Sequence, residues 1–596
     1  MRRVDGFAPI GAYGAIGDGR TVALVALDGS IDFLSLPDLH APTVFAALLD
    51  PERGGRFALA PEGEFEAKRR YLERTNVLET VFRTGAGRVR VTDALTLQEA
   101  GLLPWVEVAR RVEGLEGSVR MRWRVEPRFD WGRGETRIRM RRGTPVAESG
   151  NGDVLAAIHA WDAGEPGVAD RDVGAAFETS PGSRSLVALT AVATGPIPFP
   201  RREEVDGRID GTCAAWRRWL DGWTYVGPWA DAVARSALAL RLLVHLPQGS
   251  IAAAPTTSLP ERIGGDRNYD YRYAWVRDSA FTLDALIALG LREQVHASFS
   301  WLLRAIGETE PEIRPFYALD GTIPTRFEEL PLRGYRDSRP VRYGNAAKDQ
   351  LQLGSWGDLL ETADLYVHDG NAFDDETGQR IADTIDRLCV VWRDEDSGIW
   401  ELPELRHYTI SKLASWMAFD RALGLVDEGQ LPDDHAGRWQ EEREAVREFV
   451  ETRCFSESRG SYTFYEDTEE LDAAVLRGTR MGFADPAGER MAGTIAAVRE
   501  ELSAGGPLLY RYSGQEGVEG AFLACSFWLV EALARARRVE EAGALMEELL
   551  ALANDLGLYS EEIDPSSHEL LGNFPQGLTH LSLVTAAAAI AAAARG

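Results

Sequence analysis

"FPRREEVDGRIDGTCAAWRRWLDGW", residues 199–223, is where this chain changes its period. Upstream of it, apolar residues recur at every second position; downstream, they recur every three or four. The stretch itself reads as a linker, partly helical, between two regions of unlike architecture. At 596 residues the chain is too long for one ordinary core, so two or more domains are expected.

Residues 1–200 read as antiparallel β-structure. In "SVRMRWRVEP" (118–127), Val119, Met121, Trp123 and Val125 fall on one face and arginines on the other. "RVRVTDALTL" (88–97), "TRIRMR" (136–141) and "SRSLVALTAVAT" (183–194) are similar, with Gly- and Pro-containing turns between them. Strands with one apolar face predict sheets packed as a sandwich. Residues 201–227 form the linker.

From 228 to 596 the pattern is helical. About twelve amphipathic segments start near 229, 275, 291, 348, 374, 410, 435, 466, 487, 518, 538 and 576. Connections after even-numbered segments are short, as in "LGLREQ" (289–294) and "RARRVEEAG" (535–543). Those after odd-numbered segments are generally longer and rich in aromatic and charged residues. If successive helices run antiparallel, all the long loops emerge at one end. The expected fold is multidomain: an N-terminal antiparallel β-sandwich followed by an (α/α)6 barrel with a functional top. No tetratricopeptide or ankyrin pattern appears, which disfavours an open solenoid.

Lys+Arg 65 against Asp+Glu 93 gives a formal charge of -28. That argues against a nucleic-acid or anionic-membrane partner, since both attract basic surfaces, and leaves an uncharged small molecule unaffected. Cys213, Cys389, Cys454 and Cys525 lack CxxC spacing and read as buried thiols in a reducing compartment. "MRRVDGFAPIGAYGAIGDG" (1–19) has no apolar h-region, so a cytoplasmic location is expected. "LSLVTAAAAIAAAARG" (581–596) reads as a buried last helix rather than a membrane span. A homo-oligomer is compatible with the sequence, which does not specify one.

The long loops carry the chemistry. "ERIGGDRNYDYRYAWVRDSAFTL" (261–283) sets Arg277 and Asp278 at a helix start behind Tyr269, Tyr271, Tyr273 and Trp275. Alone, Asp278 reads as a helix cap with Arg277 as its ion-pair partner. Aromatic rings beside such a pair also suit a sugar, whose C–H face packs on a ring while its hydroxyls need charged partners. "RPVRYGNAAKDQLQLGSWGD" (339–358) offers Tyr343, Asn345, Lys348 and Asp349, with capping an adequate account of Asn345 or Asp349. "SGIWELPELRHY" (397–408) sets Glu401 directly after Trp400, where an indole can shield a carboxyl group from water and keep it protonated. "LLYRYSG" (508–514) holds Arg511, and "LGLYSEEIDPSSHELLGNFPQ" (556–576) holds Glu561, Glu562 and Asp564. In isolation the last is an exposed acidic turn.

No Ser–His–Asp order, phosphate loop or H-E-x-x-H motif competes, and no metal or cofactor is expected. The pairs at 374–375 and 433–434 lack the further Asp of a diphosphate–magnesium site. Carboxylates gathered with aromatics on one rim suggest glycoside hydrolysis, in which an acid protonates the leaving oxygen and a base activates water.

"NYDYRYAWVRDSAFTLDAL" (268–286), "YGNAAKDQLQL" (343–353), "GIWELPELRHYTISKLASWMAFDRAL" (398–423), "CSFWLVEALARA" (525–536) and "SEEIDPSSHELLGNFPQGLTHLSL" (560–583) resemble bacterial glycoside hydrolase family 15, the glucoamylases, glucodextranases and bacterial trehalases. "GAYGAIGDGRTVALVALDGSIDFLSLPDLHAPTVFAALLD" (11–50) resembles the N-terminal domain of intracellular members. The resemblance implies an inverting exo-hydrolase that frees glucose from α-glucosides, with Glu401 as general acid and Glu561 as base. It also implies that Arg277 and Asp278 hold the non-reducing glucose, that Trp275 lines that subsite, and that Arg511 binds substrate. Tyr343, Lys348, Trp400, Glu404 and Glu562 complete the candidate substrate-binding set. Ala274 stands where many relatives carry Cys, and Tyr269 where Trp is common. Glu404 and Lys348 mark further departures from the family's pattern and are expected near the leaving sugar.

The expected substrates are short malto- or isomalto-oligosaccharides, with trehalose as the alternative. An inverting disaccharide phosphorylase, in which phosphate replaces the base, is disfavoured by "SEEID". A non-catalytic glucoside sensor is disfavoured by the presence of both carboxylates.

Overall fold

The computed structural model describes residues 2–97, 102–193 and 195–595. Residues 13–192 contain two eight-stranded antiparallel sheets packed face to face. One runs in the order 13–17, 22–26, 30–35, 57–61, 119–125, 172–179, 167–169, with 43–45 paired to the third strand. The other runs 136–141, 144–149, 155–161, 184–192, 106–117, 87–95, 78–84, 66–71. The strand Val119–Val125 shows why: its apolar residues are buried in strict alternation with exposed arginines. Such a ribbon is stable only when its apolar face meets another sheet.

The helix Arg202–Trp219 lies across the second sheet. It is held there by Arg111 to Asp206 at 2.6 Å and by Arg208 to Glu107 at 2.6 Å. Among the described residues, twelve longer helical segments follow, in two concentric rings. The inner ring is 276–288, 354–368, 409–427, 473–481, 523–535 and 577–593, each packed on the next and the last on the first. The outer ring is 230–243, 292–307, 375–391, 436–453, 489–501 and 539–550. This closed double ring is the expected (α/α)6 barrel. Inner helices such as Thr409–Asp427 are buried on nearly every side, so they carry little amphipathic signal. Outer helices such as Asp375–Val391 bury one stripe, and Asp374 caps that helix by accepting from Thr377 N at 2.8 Å.

Three helices start later than their periodicity predicts. The fourth begins at Gly354 rather than near 348, because Asn345 caps a separate short turn, Ala346–Asp349, through Ala347 N at 2.9 Å. The eighth begins at Ala473 rather than near 466, where Asp472 accepts from Ala474 N at 2.8 Å. The tenth begins at Leu523 rather than near 518, because Ala521–Phe522 pairs with Glu562–Ile563 in a short ladder. No helix among the described residues is long and apolar enough to cross a membrane. All four cysteines are buried and unpaired.

Candidate active site

The long loops meet at one end of the barrel around a cavity of about 430 Å³. Glu401 and Glu561 both line it, together with Arg277, Asp278, Trp400 and Arg511. The loop bearing Glu401 is tightly folded. Leu402 N donates to Ser397 O at 2.9 Å. Gly398, at φ 65°, lies so close to the Tyr408 ring that a Cβ would sit 2.8 Å from it. Glu401 itself adopts φ 60°, a left-handed conformation that costs a non-glycine residue roughly 1 kcal/mol or more. Gln350 Nε2 holds its carbonyl at 3.0 Å, and Arg277 Nη1 holds the Ile399 carbonyl at 2.7 Å.

The indole that meets the Glu401 carboxyl is not its sequence neighbour. Trp275 Nε1 donates to Glu401 Oε1 at 2.6 Å. Trp400 instead forms cavity wall, donating to Asp472 Oδ1 at 2.9 Å and packing edge-on against Phe522. Burial pushes the Glu401 carboxyl above its ordinary value, and the nearby Arg277 guanidinium, 3.9 Å from Oε1, pulls the other way. The net shift is upward, the direction that a general acid requires.

Glu561 comes from the last long loop and is 3% exposed. Gln576 Nε2 approaches its Oε1 at 3.3 Å. Gly572, at φ 71°, packs against it so closely that a Cβ would lie 2.7 Å from Oε2. Burial and then the charge of Glu261 raise its carboxyl, while Arg511 opposes them. Glu562 turns away from the cavity. Its Oε2 accepts from Gly520 N at 2.9 Å, and its Oε1 stands 3.9 Å from Arg511 Nη2. Arg511 also binds Glu261 at 2.8 Å and, through Nε, Glu519 at 2.7 Å. Glu261, Glu519 and Glu562 form the one carboxylate cluster among the described residues with spacing suited to a metal. The Arg511 guanidinium already serves as its cation.

Arg277 and Asp278 form an ion pair of 2.9 Å, and both line the cavity. Asp278 does not cap: the cap position of the helix Val276–Ala288 is Trp275, and Asp278 is the third helical residue. The preceding segment is extended, so its side chains alternate. Tyr269 and Tyr271 line the cavity, while Asp270 and Arg272 are buried away from it. Arg272 pairs with Asp270 at 2.7 Å, donates to the sandwich carbonyl of Ala41 at 2.8 Å and stacks on Trp131 at 4.8 Å. Asp270 also accepts from Gly344 N at 3.0 Å. The β-sandwich thus fixes two of the loops that build the site.

Tyr271 carries more than the aromatic bulk read from the sequence. Its ring meets Trp275 edge-on at 5.3 Å. Burial first, then the charges of Glu561, Glu261 and Glu401, hold its phenol protonated, with Arg511 opposing them. Its place in the alternating Tyr269–Tyr271–Tyr273 run was the available signal. Glu261 carried no such signal.

Trp275, Tyr343, Lys348, Glu404 and Glu562 do not line the cavity. Trp275 is fully buried, hydrogen-bonded to Glu401. Tyr343 packs between the barrel and sandwich, its hydroxyl 3.3 Å from His40 O. Lys348 is paired with Asp349. Glu404 is exposed, and only its carbonyl is engaged, by Tyr408 Oη at 2.8 Å. The expected placement of Lys348 and Glu404 rested on departures from a motif, and a departure carries no information about side-chain direction.

A family profile described as glycosyl hydrolases family 15 matches residues 227–588, and one described as trehalase-like, N-terminal matches residues 5–161. A trehalase of Thermoplasma acidophilum is 34% identical over 574 residues, spanning 95% of this chain and 97% of its own. A trehalase of Mycolicibacterium smegmatis is 34% identical over 618 residues, spanning 97% and 91%. Among solved structures, a bacterial glucoamylase complexed with acarbose superposes with a TM-score of 0.72 at 12% identity, covering 99% of this chain and 95% of that one. The last likeness is one of fold.

Proposed function

The chain belongs to glycosyl hydrolases family 15, and from that premise we propose that it hydrolyses α,α-trehalose to two glucoses with inversion at the glycone. The observation that carries the reaction type is that Glu401 and Glu561, from the third and the last of the long loops, line one cavity beside the Arg277–Asp278 pair. Full-length similarity to trehalases supports the substrate. The malto- and isomalto-oligosaccharides expected from sequence therefore rank second.

In this reading Arg277 and Asp278 take the glycone hydroxyls. Trp275 occupies Glu401 Oε1, leaving Oε2 to carry the proton. Glu401 passes that proton to the glycosidic oxygen as the C–O bond breaks and an oxocarbenium-like centre forms. Tyr271 lines the same cavity with its phenol protonated. A water on the opposite face of the ring attacks the anomeric carbon and gives its proton to Glu561. A carboxylate at that position supplies the base itself, so no phosphate is called for.

The test is a substrate panel. Glucose release should show a higher kcat/KM on trehalose than on maltose, isomaltose or longer glucans. Preference for one of the latter would return the assignment to the glucoamylase type, and no release from any would reject hydrolysis.

A further inference from the structure

The residues lining the cavity grade from buried to open. Ala253, Gln576, Asp278 and Glu561 are buried, whereas Asp266, Phe327, Ala346 and Pro403 are exposed and mark the mouth. Phe327 stands out among the latter because it is a large ring left 46% exposed. A lone exposed apolar side chain on a surface needs no explanation. This one, however, borders a cavity, and the backbone around it is fixed.

Its neighbours supply the anchors. The Arg326 guanidinium lies over the Tyr343 ring at 4.4 Å. Glu328 pairs with Tyr343 in the short ladder of Glu328–Leu330 with Val341–Tyr343. Gly344, at φ 88°, comes so close that a Cβ there would stand 2.0 Å from the Arg326 carbonyl oxygen. Tyr343 in turn packs on Trp131 of the sandwich at 6.0 Å. The ring is presented on a braced segment, so little freedom remains to be lost when a ligand covers it. Asp266, also exposed and lining the cavity, has a carboxylate with no hydrogen-bond or ion-pair partner among the described residues.

We propose that Phe327 is the platform on which the leaving sugar packs its C–H face, with Asp266 accepting from that sugar's hydroxyls. This assignment rests on the glycosidase reading above. It gives the leaving-group role to the cavity mouth rather than to Lys348 and Glu404, neither of which lines it. The glycone is bound deeper, by Arg277 and Asp278, and does not reach the platform. Phe327 therefore acts on substrates in proportion to what leaves: a whole pyranose covers the ring, and a single atom does not.

α-Glucosyl fluoride carries the same glycone with no leaving sugar, so it is the natural comparison. For Phe327→Ala, the ratio of kcat/KM on trehalose to kcat/KM on the fluoride should fall about tenfold or more, through loss of apolar cover from a pyranose. Phe327→Tyr keeps the ring and should restore the ratio. Activity on the fluoride reports that each variant is folded. An unchanged ratio, or equal losses on both substrates, would overturn the proposal. If the wild type cleaves maltose or isomaltose but not trehalose, the trehalose assignment fails on its own, and the ratio is read on the disaccharide that is cleaved.

Discussion

Trp275 Nε1 and Glu401 Oε1 are 2.6 Å apart, a contact that joins the first long loop of the barrel to the third. Two opposing influences meet at this carboxyl. Burial, the larger, favours the proton, while the Arg277 charge and the indole N–H favour the ionised form. Trp275→Phe removes the donor and keeps most of the ring. The carboxyl should then rise further, and because an acid works until it loses its proton, the alkaline limb of kcat/KM should move to higher pH. A tenfold or so drop in kcat should accompany it as the carboxyl loses its fixed orientation. A limb that moves to lower pH would contradict this account of the contact.

Glu401→Gln keeps the shape of the side chain and removes its proton. Hydrolysis of natural glucosides should fall by about 10²–10⁴-fold or more, with glucose binding largely retained. α-Glucosyl fluoride needs little protonation of its leaving group and should suffer much less. Equal losses on both substrates would mean that Glu401 is not the acid.

Adjacent side chains point apart, and here they reach different surroundings. Glu561 faces the cavity, whereas Glu562 is buried against Gly520 N and Arg511. Glu561→Gln should reduce kcat by about 10²-fold or more with little change in KM, and Glu562→Gln by far less. Comparable losses in both variants would remove the distinction between base and supporting residue.

Glu561, the proposed base, has its own electrostatic control. After burial, the Glu261 carboxylate is the main influence holding Glu561 above its ordinary value. Glu261→Gln deletes a like charge and leaves Arg511 freer to act on Glu561. Both effects lower the pKa of the base, and a base works only once deprotonated, so the acidic limb of kcat/KM should move to lower pH. Circular dichroism should confirm an intact fold. A limb displaced to higher pH would show that Arg511, once released from Glu261, no longer stabilises the ionised base.

Much of the architecture was legible because it is periodic. Val119, Met121, Trp123 and Val125 are buried between exposed arginines as their spacing implies. Most barrel helices begin within a residue or two of where the period changes. What failed was decided locally: Asn345 and Asp472 cap their neighbours and delay two helices by several residues. The site was legible as a set of loops and less so as a set of side chains. Arg277 and Asp278 could be located because they fall at a helix start. Whether Trp275 or Trp400 touches the acid depends on how two loops approach in space, and no local pattern encodes that. Phe327 lies in a stretch with no catalytic motif, and only its exposure at the cavity mouth singles it out.

The central claim, inverting hydrolysis of trehalose by the Glu401–Glu561 pair, is tested most directly by proton NMR of the anomeric signals during the first minutes of turnover. Trehalose joins two glucoses through α linkages at both anomeric carbons. Inversion turns the glycone into β-glucose, while the leaving sugar departs as α-glucose, since its own anomeric bond is untouched. The account predicts that both anomers appear from the start in equal amounts, without added phosphate, before mutarotation blurs them. Initial release of α-glucose alone would mean retention and contradict the pair. Glucose 1-phosphate formed only when phosphate is supplied would contradict hydrolysis itself.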